Sequence, residues 1–283
     1  MGEWLTSGAP PQVLPARRYL VVGDLHGDLG RLQRILLRAQ QDLNIQAALH
    51  VGDLGLDPLT LRCWLDQPDP RMSVPVIVVD GNHDDHAWLA QLRQHPAEAE
   101  ALAAIGLHIH ERGALLHLGG ITLGCCGGAL HPDRPQVGAE EVLLGREPTT
   151  PNWVTPAQAR AVASSWAGDP PDVVLAHSCP AGIGVGLTGS PAFTAAITAD
   201  LEELGLPAIA VNDVGEPGLT MLWSALPRPP RHWICGHFHR LHQALVGRTQ
   251  VTVVPAADGR EVLPVVLDTG HLTVDVLPAW AVY

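Results

Sequence analysis

The sequence predicts an α/β fold, and three observations carry that reading. Five apolar, β-like runs each end in a short polar island; three of them pass directly into a helical pattern; and an apolar pair around Gly119-Gly120 signals a hairpin outside that series. The islands are Gly23-Asp24-Leu25-His26-Gly27, Gly52-Asp53, Gly81-Asn82-His83-Asp84, the lone His177, and Gly236-His237-Phe238-His239, and they hold nine residues of metal-binding type. The carboxyl ends of several strands are where an open α/β sheet places its chemistry.

In chain order, Tyr19-Leu20-Val21-Val22 reads as the first strand, and Asp28 caps a helix whose Leu29, Leu32, Ile35, Leu36, Ala39 and Leu43 keep the spacing of one buried face. Ala48 to Val51 reads as the second strand, followed by Asp57-Pro58, a cap with proline at the first helical position, and by apolar Leu61, Trp64 and Leu65. Val76 to Asp80 is the third, leading into a helix with Trp88, Leu89 and Leu92 and a stop at Gly106. Strand, loop and helix in repetition argue for parallel pairing under a helical cover. Ala114 to Leu118 and Ile121 to Cys125 flank Gly119-Gly120 as a hairpin that opens a second sheet. Thr155-Pro156 starts a helix reaching about Trp166, and Val173 to Ala176 is the strand that delivers His177. Helical stretches are expected near Ala195 to Leu204 and from Pro217 to Leu226, then the strand His232 to Cys235. Two hairpins close the chain, Leu241 to Val246 with Gln250 to Val254, and Val262 to Leu267 with Leu272 to Val276.

With 283 residues and no low-complexity linker, the chain is expected to form one domain over 1–283, with long loops near 129–154 and 178–215. Hydrophobic residues at 46% and a mean hydropathy of +0.13 supply a large core. A net charge of -12 argues against a broad grip on extended nucleic acid. Cys63, Cys125, Cys126, Cys179 and Cys235 lack Cys-x-x-Cys spacing and read as reduced thiols, which places the protein in the cytoplasm. Met1 to Leu14 lacks a signal-peptide pattern, and no apolar stretch is long enough to span a membrane.

Asp-x-His and His-x-His on extended backbone would send both side chains of each pair to one side, into one shared site. Oxygen and imidazole ligands without thiolate suit Mn, Fe or Zn, and Mg less well. Seven ligands overcrowd one ion and suit a pair bridged by a carboxylate. Two divalent ions against Asp24 and Asp53 would leave the site locally positive and able to attract phosphate despite the acidic surface.

Asp-x-His, Gly-Asp, Gly-Asn-His-Asp, a distant His and Gly-His-x-His, in that order from Asp24 to His239, resemble the signature of the calcineurin-like metallophosphoesterases. The resemblance implies a four-layer α-β-β-α sandwich of two facing mixed sheets. It assigns Asp24, His26 and His239 to a first ion, Asn82, His177 and His237 to a second, and Asp53 to both. It further implies two divalent cofactor ions, Mn foremost with Fe or Zn as alternatives, and hydrolysis of a small phosphate mono- or diester by a metal-bridging hydroxide. His83 would be the catalytic residue, contacting the phosphoryl group and protonating the leaving oxygen. Asp84 is left as a supporting residue or a first-turn charge.

The second island departs from the protein phosphatases of this superfamily, which read Gly-Asp-x-x-Asp-Arg-Gly. Here Gly52-Asp53-Leu54-Gly55-Leu56-Asp57 lacks the Arg, and Asp57 stands before Pro58 as a helix cap. A protein Ser/Thr phosphatase, a dinucleoside-polyphosphate hydrolase and, from another class, a non-catalytic metal-binding scaffold remain as alternatives. Gly182 to Gly189 looks like a phosphate cradle but lacks the following Lys-Ser/Thr, and reads as a loop. Arg134 and Arg146 read as surface charge rather than phosphate ligands, and histidines outside the islands, His50 and His86 among them, as core or surface residues.

Overall fold

In the computed structural model, which describes residues 17–92, 94–130, 152–186 and 213–282 together with positions 192, 195 and 199, the strands fall into two six-stranded sheets and one two-stranded ribbon. The first sheet is built around β1 (Arg18–Val22), β2 (Ala47–His50), β3 (Val76–Val78) and β4 (Leu107–Ile109), which pair in parallel with one another. The second begins with the antiparallel hairpin β5 (Leu115–Leu118) and β6 (Ile121–Cys126), to which β7 (Val173–Ala176) and β8 (His232–Cys235) add in parallel. The hairpin β9 (His242–Val246) and β10 (Thr249–Val253) extends this sheet through β8. After β11 (Glu261–Val262) the chain crosses back: β12 (Val265–Asp268) pairs antiparallel with β1, β13 (Thr273–Val276) follows, and β14 (Trp280–Ala281) closes on β11. Both six-stranded sheets are therefore mixed.

The helices that cover the sheets start where their caps predict. In α1 (Leu29–Leu43) the Asp28 carboxylate accepts the Arg31 N–H at 2.7 Å, and α2 (Pro58–Leu65) is capped by Asp57, which accepts from Leu59 N and Thr60 N. Between Val78 and β4 lie α3 (His86–Leu92) and α4 (Pro96–Ala104), two helices where one was expected. Pro96 lacks the N–H that would continue α3 and instead opens the next helix. Thr155 and Gln158 form a reciprocal capping box on α5 (Pro156–Ser165), and α6 (Pro217–Ala225) precedes β8.

Strand alternation sorts the core into three clusters and fixes four layers. Leu20 and Val22 face Leu32, Ile35 and Leu36 of α1 and Leu89 of α3, whereas Tyr19 and Val21 face inward. There they meet Leu123, Val173, Leu175 and Ile234 of the second sheet, so the two sheets share a core. Val174, Ala176 and Trp233 face outward onto Val162 and Trp166 of the α5 end and Leu219 and Leu222 of α6. Burying each such Leu, Ile or Val side chain contributes about 1.5–3 kcal/mol before chain entropy is counted.

Two expectations need correcting. Leu107-His108-Ile109 is a strand pairing with β3, where the sequence signalled only a helix stop. On α2, Leu65 is 43% exposed, because the short helix lies on the rim and buries only part of Leu61 and Trp64. All of the helix expected near Ala195 to Leu204 except positions 195 and 199, which are helical, lies outside the described residues, as do the charges Arg134 and Arg146 and most of the loop after Leu130.

Candidate metal centre

All seven expected ligands arrive at one place, at the carboxyl ends of β1, β2, β3, β7 and β8. Metal-binding atoms of Asp24, His26 and His239 lie within 4.8 Å of one another, as do those of Asp24, Asp53 and His177. Asn82 joins through its Oδ1, 3.1 Å from His177 Nε2, and His237 through its ring, 5.2 Å from that of His177. Asp24 is common to both groups, while Asp53 belongs to the second.

The backbone that presents these ligands is not extended, contrary to expectation. Asp24, His26, Asp53, His237 and His239 all have φ between 48° and 70°. The left-handed region is disfavoured for residues with a Cβ, and its repeated use at one site marks local strain held in place by surrounding structure. That structure is a lattice of loop-to-loop hydrogen bonds. Asp24 N donates to Gly52 O, Leu25 N and His26 N to Asp53 O, and Gly27 N to Leu54 O, so the first two islands run side by side. The Asp24 carboxylate accepts His237 N at 3.1 Å, tying in the last island. Glycine is required at position 81 by crowding: a Cβ there would collide with Oδ1 and the backbone N of Asp53.

Asp84 proves to be the supporting residue rather than a first-turn charge. Its Oδ1 accepts Gly55 N at 2.8 Å and its Oδ2 accepts Gly81 N at 2.7 Å, joining the second and third islands. Burial and the neighbouring Asp53 charge push its carboxyl up to about 7, against these backbone donors, which favour the ionised form. Asp57 is fully engaged in capping α2 and the Thr60 hydroxyl. The Gly182 segment does offer amides, but Asp213 fills them: Gly182 N and Gly184 N donate to its two carboxylate oxygens at 2.5 and 3.2 Å.

The chemistry of the donor set can be tested at His177. Its Nδ1 lies 2.7 Å from Val51 O, and a carbonyl only accepts, so Nδ1 carries the proton. Nε2 then faces Asn82 Oδ1 at 3.1 Å and Asp53 Oδ2 at 3.2 Å, both acceptors, inside a wholly buried pocket. Three lone pairs converge on one point, an arrangement that a cation or an added proton on Nε2 satisfies. A ligating histidine that donates its other nitrogen to a backbone carbonyl is the usual support for a metal. Burial lowers the ring's pKa, but the Asp53 carboxylate overrides it and raises it to about 10. Burial likewise raises the Asp53 carboxyl, and His177 outweighs it, holding Asp53 well below the usual carboxylate range. At the other end, His239 Nε2 lies 3.3 Å from Asp24 Oδ1 and 3.4 Å from His26 Nε2, and the contact with Asp24 raises its pKa. The donor chemistry of these residues fits divalent metal, in two overlapping groups that share Asp24.

His83 is exposed beside this centre; its N–H donates to Asp53 Oδ1 at 2.8 Å and its ring meets the His26 ring edge-on at 5.3 Å. Three polar residues near the site carry no sequence signal. Glu216 is buried, accepts Leu130 N at 3.0 Å, and is pushed up to about 7 by burial; beside Pro217 it reads as a plain helix cap. Asp80 and Arg112 form a buried ion pair behind Gly81, between residues 32 positions apart.

Likeness to solved structures extends over nearly the whole chain at low identity. The structure of TT1561 from Thermus thermophilus matches with a TM-score of 0.53 at 15% identity, covering 92% of this chain and 98% of that one. A second solved structure matches with a TM-score of 0.60 at 14% identity, covering 93% of this chain and 98% of its own. At such identities the likeness carries the fold alone. Among curated protein sequences none is similar enough to count as a match. The model of one family, calcineurin-like phosphoesterase, matches residues 17–241, the span that holds every island. The chain belongs to the calcineurin-like phosphoesterase family and is a metal-dependent hydrolase of phosphoric esters.

Proposed function

We propose that the protein hydrolyses a small phosphate mono- or diester at a centre of two divalent ions, Mn foremost and Fe or Zn as alternatives. Asp24, His26 and His239 hold one ion, Asn82, His177 and His237 the other, and Asp53 serves both. The observation that carries this reading is the convergence of Asn82 Oδ1, Asp53 Oδ2 and His177 Nε2 on one buried point. When bound, such ions supply Lewis acidity that activates water and neutralises phosphoryl charge.

The chain's own residues supply the rest. Val51 O fixes the His177 tautomer, and Asp84 locks the loops that present Asp53 and Asn82. Exposed His83, anchored through its backbone to Asp53, faces incoming substrate and gives a proton to the leaving oxygen. The absence of the protein-phosphatase Arg, with Asp57 committed to its helix, favours a small ester over a phosphoprotein. Among the described residues no helix is long and apolar enough to cross a membrane, and all five cysteines are free, which supports a reducing compartment such as the cytoplasm.

Elemental analysis, followed by hydrolysis of phosphomonoesters, cyclic nucleotides, dinucleoside polyphosphates, an aryl phosphodiester and phosphopeptides with added Mn, tests the reading. Two ions per chain and turnover of a small ester are expected. Stoichiometric metal with no hydrolysis would favour a scaffold, and a phosphopeptide turned over faster than every small ester would favour a protein phosphatase.

A further inference from the structure

The loop bearing Asn82 and His83 is braced from behind by a device that the metal centre itself does not use. Arg112 Nη2 and Nε donate to Asp80 Oδ2 at 2.6 and 3.1 Å, with the two side chains only 7% and 4% exposed. The same guanidinium donates through Nη1 to Trp153 O at 2.8 Å and Gln158 Oε1 at 3.2 Å, and through Nη2 to Asn152 O at 3.3 Å. Asn152 in turn donates from Nδ2 to Asn82 O at 3.3 Å. His86 Nε2 meets Gly81 O at 2.7 Å, and its Nδ1 lies 3.6 Å from Asp80 Oδ2. Close packing allows only glycine at position 128, where a Cβ would collide with the Arg112 guanidinium.

A buried ion pair is a poor way to add stability, because desolvation offsets most of the Coulomb gain. Its value is geometric: a planar fork of five donors fixes several acceptors at set angles, which a lysine cannot do. Here the acceptors lie on both sides of the metal loop. Asp80 immediately precedes Gly81, and Asn152 touches the backbone of Asn82 itself.

We propose that Arg112 is a positioning residue for the second ion, setting the Asn82 side chain through Asp80 on one side and Asn152 on the other. The proposal rests on the two-ion reading above. Supporting residues of this kind change metal affinity about 10–100-fold when replaced.

Calorimetric Mn titration and electron paramagnetic resonance, which separates coupled Mn pairs from lone Mn, are the tests, run on the full chain and on Arg112→Lys and Asn152→Ala. Asn152→Ala leaves the ion pair intact and so guards against a variant that fails to fold. Both variants are expected to bind the first Mn as the unaltered chain does and the second about tenfold or more weakly, with the coupled signal replaced by that of lone Mn. Two ions bound at unaltered affinity in both variants would overturn the proposal. So would an equal loss at both ions accompanied by a lower melting temperature, which is the mark of a general structural role. An unaltered chain that never takes up a second Mn would instead remove the two-ion reading, and the proposal with it.

Discussion

Raising the pH from 7 to 9 is predicted to tighten Mn binding at the His177 side of the centre by roughly tenfold per pH unit. In the metal-free chain Nε2 faces two acceptors, and Asp53 raises the ring's pKa to about 10 despite its burial. That proton must leave before the nitrogen takes an ion, so binding releases it throughout the range below about 10. At about 1.36 kcal/mol per unit, the gain between pH 7 and 9 is about 2.7 kcal/mol, or roughly 100-fold. Stability of the metal-free protein runs the other way. The folded-state pKa lies above the ordinary 6.5, so the His177 contribution is complete below that value and is lost as pH rises through about 10. Calorimetric titration at pH 7, 8 and 9 in two buffers of different ionisation enthalpy reads both affinity and protons released. His239, also raised, adds its own proton at the other ion, so the step belonging to His177 is the one lost in His177→Gln. A flat affinity with no proton released would refute the reasoning, since Nε2 would then carry no proton in the metal-free chain.

Other perturbations address the remaining parts of the site. His83→Ala should keep both ions while losing about 10²–10⁴-fold in turnover of an alkyl ester. The same variant should lose much less on an aryl ester, whose leaving group needs no proton, and equal losses on the two would remove the acid role. Asp84→Ala strips the acceptor from the Gly55 and Gly81 N–H groups and should lower stability by roughly 3 kcal/mol, read as a shift in denaturant midpoint at unchanged slope. Gly81→Ala places a methyl group against the Asp53 carboxylate, so the variant should fold yet bind fewer than two ions by elemental analysis; full metal occupancy would contradict the crowding.

Much of the centre is legible because its signals are local. Each candidate ligand follows an apolar run within a few residues, all but His177 with a glycine between, and Asp28, Asp57 and Thr155 announce their helices by the residues that follow. Leu107-His108-Ile109 is not legible, since three residues carry no period of their own; its strand character comes from docking beside β3. The left-handed backbone of five candidate ligands is equally hidden, because nothing in Asp-x-His or His-x-His departs from what an extended pair would show.

By itself the sequence determined the strand-loop-helix units, the seven candidate ligands and their order, all properties of short segments and residue chemistry. Only the tertiary structure decided which sheet each C-terminal hairpin joins, that Asp84 is a brace, and that Arg112 meets Asp80 and Asn152 behind the metal loop. These depend on contacts between residues tens of positions apart, and such contacts exist only once the two sheets have closed on their shared core.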